Sequence, residues 1–236
     1  MFELPSSVLV VVAHPDDEVL GCGGTMFKLA RAGVPVRSCI LCADADARVH
    51  RPVLPRLHRD TSEAQTLLGG LEPVGGIFPN IQLNTVPHLH LVQFIEEAIA
   101  ASACDVVFTH HPGDLNNDHL ETSRACQAAV RISQRRPGLT RVRAFFYMEV
   151  PSATDWALSP GPRFQADTYI EIGSEGVERK LEALRAYVGV MRPFPHPRCD
   201  EVIRGLAACR GGESGFHYAE AFETALRLHS WGEGGG

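Results

Sequence analysis

The sequence predicts an α/β fold, a Rossmann-like and mostly parallel sheet with helices on both faces, built as a single domain. Three observations carry that expectation. Apolar, β-rich runs alternate with helix-length segments along most of the chain, the order expected of successive βαβ units. The first of these runs, Ser7 to Ala13, is continuously apolar, as strands buried on both faces are. The residues with the most chemistry fall just after such runs, at the strand edge where open α/β sheets place their ligands.

The elements follow in order. A strand over about Ser7 to Ala13 leads into a helix from near Glu18 to Ala32, and Gly33 supplies the left-handed C-terminal cap. A second strand runs from Val36 to Cys42. The polar, irregular stretch from Ala43 to about Pro55 reads as a long loop, and loops of that length are more often functional than decorative. A helix then runs to Leu68 before Gly69-Gly70. A short strand near Gly76 to Phe78, a helix near His88 to Ala101 and a strand from Asp105 to Thr109 continue the alternation.

The loop His110 to Asn117 precedes a helix over about Asp118 to Arg131, and a strand at Val142 to Met148 is followed by the loop Glu149 to Pro162. The C-terminal part reads as a short strand at Thr168 to Ile172, a helix from about Glu175 to Val190, the Pro-rich turn Arg192 to Pro197 and a helix to about Cys209. Residues 1–228 form the expected domain, and the Gly-rich tail 229–236 is expected to be disordered.

Composition narrows the partners. The net charge of −6, with no Lys/Arg-rich run, gives nucleic acid or an anionic membrane surface little to hold. The apolar start lacks a basic leader and runs straight into a polar motif, so it reads as a strand rather than a signal peptide. No apolar run approaches the roughly 20 residues needed to span a bilayer, so the expectation is a soluble, cytoplasmic protein without membrane insertion. Seven cysteines form an odd, scattered set expected to be reduced thiols. Cys39 and Cys42 make a formal CxxC, but inside a strand residues three apart point to opposite faces and cannot easily clamp a metal.

The central motif is Ala13-His14-Pro15-Asp16-Asp17-Glu18 after the first strand, answered by Asn116-Asn117-Asp118-His119 after a later one. A turn entering a helix can bring His14 and Asp17 to one point, with Asp16 between them aimed elsewhere. His119, also near a strand end, completes a three-ligand set of the kind that leaves one position of a catalytic Zn²⁺ open for water. A coordinated carboxylate has its lone pairs engaged, whereas the spare one can take a proton from a water whose pKa the ion lowers from 15.7 toward ~7. Asp17 therefore reads as a ligand and Asp16 as a base. Asp118 reads as an outer carboxylate that orients a ligand, and Glu18 as a charge cap on the helix dipole.

Other chemistries lose their support. Gly21-Cys22-Gly23-Gly24 lacks the GxGxxG order of a dinucleotide site and falls within the first helix, where close packing is the expected use. Neither GxxxxGK[ST] nor GxSxG occurs, which removes the motif basis for a phosphate-binding loop or a serine-hydrolase elbow.

AHPDDE followed by Asn117-Asp118-His119 resembles the signature of the PIG-L/LmbE-like zinc N-deacetylases, which remove acetyl groups from N-acetylglucosamine-type sugars. The likeness extends over about Val8 to Arg227, through the strings His110 to His119, Glu149 to Trp156, Pro195 to Arg198 and Ala219 to Phe222. It implies His14, Asp17 and His119 as zinc ligands, Asp16 as general base and a Rossmann-like fold with metal at the strand C-termini. Another divalent metal would suit the same donors. Many family members have His-Pro-Asp-His where this chain has Asn116-Asn117-Asp118-His119, so the histidine three before the last ligand is absent.

The resemblance offers His196 in its place, as donor to the leaving amine or the oxyanion. Relatives bring such a histidine to the site in some cases from a neighbouring subunit, which leaves a homo-oligomer open. It also points to Arg48, Arg59 and Asn80 as residues that hold the sugar. The expected substrate is an acetylated amino sugar. The alternatives are another acyl amide, such as a thiol-sugar conjugate or an acylated antibiotic, or a catalytically silent metal- or sugar-binding protein.

Overall fold

The computed structural model describes residues 4–42, 53–158 and 161–229. The elements, in chain order, are β1 (Val8–Val12), α1 (Asp17–Arg31), β2 (Val36–Cys42), α2 (Leu54–Leu68), β3 (Leu71–Phe78), a 3-10 turn at Leu83–Thr85 and α3 (His88–Ser102). Then come β4 (Val106–His110), α4 (Asn117–Ala129), the single turn α5 (Ile132–Arg135), β5 (Ala144–Met148), β6 (Thr168–Glu171), α6 (Gly173–Ala186), α7 (Asp200–Ser214) and β7 (Ala219–Arg227).

The seven strands form one sheet in the order β3-β2-β1-β4-β5-β7-β6. β1 pairs in parallel with β2 on one side and β4 on the other, and β4 pairs in parallel with β5. Every residue of β1 is fully buried. Alternate side chains divide between two cores: Val8, Val10 and Val12 pack toward α1, α2 and α6, while Leu9 and Val11 pack toward α3 and α4. The expected sheet with helices on both faces is therefore what the chain builds.

Chain direction places the site. From β1 the chain winds outward to β2 and β3, then returns through α3 to β4 on the other side of β1. The strand order thus reverses between β1 and β4, and ligand sites in open sheets lie at such a switch point, beyond the strand C-termini. His14 follows β1, and the loop 111–116 follows β4.

Several boundaries differ from the sequence reading. β3 begins at Leu71 rather than near Gly76, because Pro73, which argues against an inner strand, is tolerated on the sheet edge that β3 occupies. β7, absent from the sequence reading, is antiparallel to both β5 and β6. Its Ala and Glu residues have little β propensity of their own, and it is pairing with two strands that holds it extended. α7 runs on to Ser214, where Gly215 adopts a left-handed C-cap, and α6 stops at Ala186. All seven cysteines are free, six of them buried. No helix among the described residues is long and apolar enough to cross a membrane. The tail from residue 230 and most of the expected loop at 43–55 lie outside the described residues.

Candidate active site

The turn between β1 and α1 brings His14, Asp16 and Asp17 together, and the N-terminus of α4 adds Asp118 and His119. Asp17 Oδ2 lies 3.2 Å from His14 Nδ1 and 3.1 Å from His119 Nε2. Asp17 and His119 are fully buried, and His14 keeps a small exposed edge. The remaining ring nitrogens are held from behind, His14 Nε2 by Asp118 Oδ2 at 2.9 Å and His119 Nδ1 by Asp114 Oδ2 at 2.8 Å. A carboxylate only accepts, so those nitrogens carry the protons. His14 Nδ1 and His119 Nε2 face Asp17 Oδ2 at hydrogen-bond distance, so each donates to it when protonated and offers an inward lone pair only when its proton is displaced.

Two imidazole nitrogens that converge on a carboxylate oxygen in a buried space are a donor set that could hold a cation in place of their protons. Ligating histidines backed by carboxylates are the usual arrangement around a protein metal ion. His14, Asp17 and His119 are one of the His/Cys/Asp/Glu groups whose donor atoms lie close enough together to share a metal ion. The electrostatics agree. Burial pushes the His14 imidazole toward neutrality, yet its bonds to Asp118 and Asp17 outweigh that and leave its pKa well above the ordinary value. His119 is raised in the same way against burial, chiefly by the Asp17 charge. Burial alone would raise Asp17, but His119 above all draws it well below the usual carboxylate range.

Asp16, the other carboxylate of the motif, is aimed differently, as the sequence suggested. It is buried and its φ of 108° is left-handed, a conformation that costs a non-glycine residue about 1–3 kcal/mol. Ile81 (φ 57°) and Ser152 (φ 71°) are also left-handed, so three of the four such non-glycine residues among those described ring this site. Ile81 donates its N–H to Asp118 Oδ2 at 2.6 Å, and Leu83 donates to Asp118 Oδ1 at 3.0 Å. The expected outer carboxylate is thus anchored by backbone as well as by His14.

Glu18, expected as a charge cap, lies in the first turn of α1 and is fully buried there: Oε1 accepts from Tyr187 Oη at 2.6 Å and Gln65 Nε2 at 3.2 Å, and Oε2 accepts from the N–H of the N-cap residue Asp16 at 3.1 Å. Burial first, and then the neighbouring Asp16 charge, pushes its pKa up to about 7. Asn116, in the place of the histidine common elsewhere, caps α4 by accepting from the Asp118 N–H at 2.9 Å.

The remaining predicted residues are scattered. His196 sits half-buried in the turn before α7, edge-on to Trp156 at 5.3 Å, with Nδ1 accepting from the Arg198 N–H at 3.0 Å. Burial and then the Arg198 and Arg192 charges lower its pKa, so at neutral pH it is a neutral ring with its proton on Nε2. Asn80 is buried next to Ile81. Arg59 is exposed on α2, which lines, through Leu57, His58, Thr61 and Ser62, a cavity of about 240 Å³ that reaches Pro15 and Cys42. Arg48 lies outside the described residues.

Four participants were not singled out from sequence as parts of the site. Asp114 braces His119 from within the loop after β4, and its Asp-x₄-His spacing was a signal available in the sequence. His110 stacks on His119 at 3.8 Å and accepts from the Ala13 N–H at 2.9 Å. Arg198 reaches Asp16 from the far end of the chain, with Nη1 donating to Oδ2 at 3.2 Å. Glu18 supports the Asp16 backbone.

A family model described as PIG-L, GlcNAc-PI de-N-acetylase, matches residues 9–130, which include the whole of this cluster from His14 to His119. The chain belongs to the PIG-L family. The uncharacterized deacetylase YaiS of Escherichia coli K12 is 28% identical over 135 residues, covering 52% of this chain and 68% of YaiS. Among solved structures, the N,N'-diacetylchitobiose deacetylase of Pyrococcus horikoshii superposes with a TM-score of 0.76 at 20% identity, over 94% of this chain and 87% of that one. GalB, the 4-carboxy-2-hydroxymuconate hydratase of Pseudomonas putida, superposes with a TM-score of 0.75 at 17% identity, over 97% and 100%. At these identities the superpositions show a shared PIG-L fold. A fold that carries both a deacetylase and a hydratase leaves the reaction to be argued from the site.

Proposed function

We propose that this PIG-L protein is a zinc-dependent hydrolase that removes the N-acetyl group from an N-acetylglucosamine-type sugar or glycoconjugate, releasing acetate and a free amine. The observation that carries the reading is the pair of imidazole nitrogens converging on Asp17, each ring backed by a carboxylate, with Asp16 in the same turn held apart by Arg198. His14, Asp17 and His119 would hold the ion, and Zn²⁺ or another divalent metal bound there would lower the pKa of a water and polarise the acyl carbonyl.

The chain's own residues supply the proton transfers and the geometry. Asp16 takes the proton of the attacking water and later delivers it to the departing nitrogen, a general-base and general-acid role for one carboxylate. The half-buried His196, with Nδ1 already occupied by Arg198, presents an Nε2–H donor suited to an oxygen that gains negative charge. Asp118 and Asp114 keep the two histidines in the required tautomers. Asn80, buried beside the Asp118 anchor, is the sugar contact most compatible with the site, and Arg48 remains a proposed one.

Asp16→Asn tests the assignment. The variant should retain bound metal and lose acetate release by roughly 10²- to 10⁴-fold, the usual contribution of a positioned acid–base group. Undiminished release would refute Asp16 as the base.

A further inference from the structure

The turn before α7 touches both groups that the proposed reaction uses besides the ion, and it does so through one residue. Arg198 donates Nη1–H to Asp16 Oδ2 at 3.2 Å, Nε–H to Ser152 Oγ at 2.7 Å and its main-chain N–H to His196 Nδ1 at 3.0 Å. Asp16 and Ser152 are both left-handed non-glycine residues, and such conformations persist only where the surroundings over-determine them. The guanidinium spans these two strained residues, which come from the turn after β1 and the loop after β5. Its side chain is 23% exposed and that of Asp16 4%, so the contact is shielded from most solvent.

We propose that Arg198 is a positioning residue for deacetylation, which fixes the rotamer of the Asp16 carboxylate through its guanidinium and the tautomer of His196 through its backbone. The proposal rests on the reading of Asp16 as the base. A planar fork is what the geometry demands. Two N–H groups of one rigid plane serve Asp16 and Ser152 at once, whereas a lysine ammonium offers a point charge on a flexible stem and cannot hold both directions. Through this tether, displacing the turn before α7 or the loop at Ser152 would re-aim Asp16 without touching any proposed metal ligand.

The test uses the full-length, metal-loaded protein and acetate release from an N-acetylglucosamine conjugate. Arg198→Ala should lower kcat by about 10²-fold, the order expected of a reacting group misplaced by an ångström, with KM within about threefold of wild type and metal content unchanged. Arg198→Lys should recover only part of the loss, added guanidinium ion should partly rescue Arg198→Ala, and Ser152→Ala should lose roughly 3- to 10-fold. In an Asp16→Asn background, Arg198→Ala should have no further effect, because a residue that acts through Asp16 has nothing left to position.

Full kcat in Arg198→Ala, a loss confined to KM, or additive losses in the double variant would overturn the proposal. Should Arg198→Ala unfold or shed metal, intact kcat in both Arg198→Lys and Ser152→Ala would overturn it and make Arg198 a structural staple. Full turnover by Asp16→Asn would instead refute the underlying reading, and an inactive Asp16→Asn beside an active Arg198→Ala would leave that reading standing while rejecting the positioning role.

Discussion

The two carboxylates behind the histidines should respond differently to the same isosteric change. Asp118 uses both of its oxygens: Oδ2 accepts from His14 Nε2 and the Ile81 N–H, and Oδ1 accepts from the Leu83 N–H. An asparagine has one acceptor oxygen, so in either orientation its NH₂ faces an existing donor. Asp114 uses Oδ2 for His119, while its Oδ1 has no hydrogen-bond partner among the described residues. Asparagine at 114 can keep its oxygen on His119 and turn its NH₂ to the unpartnered side. That change loses only the charge assistance of one hydrogen bond, about 1 kcal/mol or roughly fivefold in metal affinity.

Asp118→Asn loses the same charge assistance and adds an opposed buried donor worth about 1–3 kcal/mol, a total of about 2–4 kcal/mol or roughly 30- to 700-fold. Zinc affinity measured by competition with a chromophoric chelator, with circular dichroism as a check on folding, separates the two. Equal losses, or a larger loss in Asp114→Asn, would refute the reasoning that these carboxylates set the histidine tautomers for a bound ion.

Other outcomes follow from the packing around the site. Glu220 is buried, pairs with Lys180 Nζ at 2.7 Å and accepts from the N–H groups of Gly24 and Thr25 at 3.0 and 2.7 Å, just past the non-helical Cys22 inside α1. Glu220→Ala strands an ammonium and two backbone donors, so urea unfolding should show a loss of about 3–5 kcal/mol, more than Lys180→Ala, which leaves Glu220 its backbone partners. Gly113→Ala places a β-carbon against the Pro162 carbonyl oxygen, a backbone atom that cannot rotate away, and should cost about 1–3 kcal/mol by the same assay while weakening metal binding through Asp114. Tyr187→Phe removes the 2.6 Å donor to the buried Glu18 and should lower stability by about 1–3 kcal/mol, an effect that thermal unfolding would register.

The fold was legible in the sequence wherever burial was continuous. Val8 to Val12 reads as an inner strand because it has no polar residue to place, and the alternation of strands and helices then leaves few topologies. β7 was not legible, since Ala219-Glu220-Ala221 has little strand character and becomes a strand through its pairing with β5 and β6. The core of the site was legible because His14, Asp16 and Asp17 are local in sequence and His119 falls, like His14, near the end of a predicted strand, the edge where open sheets gather their ligands.

Asp114 and Arg198 were harder for opposite reasons. Asp114 sits in a loop whose conformation no periodicity describes, and the Arg198–Asp16 bond joins residues 182 apart, a contact only tertiary structure reveals. Glu18 does stand in the first turn of α1, where a charge cap was expected, but its burial was not legible because an acidic residue there usually faces water. Here Tyr187, Gln65 and the Asp16 backbone make its burial tolerable.

Acetate release from N-acetylglucosamine conjugates, followed before and after metal removal by a chelator and again after zinc is restored, is the decisive measurement of metal-dependent deacetylation. The loaded protein should give stoichiometric acetate and free amine, lose both on chelation and recover them with zinc, while Asp16→Asn binds the metal and releases almost none. Acetate release that survives complete metal removal, or that Asp16→Asn sustains at the wild-type rate, would contradict it.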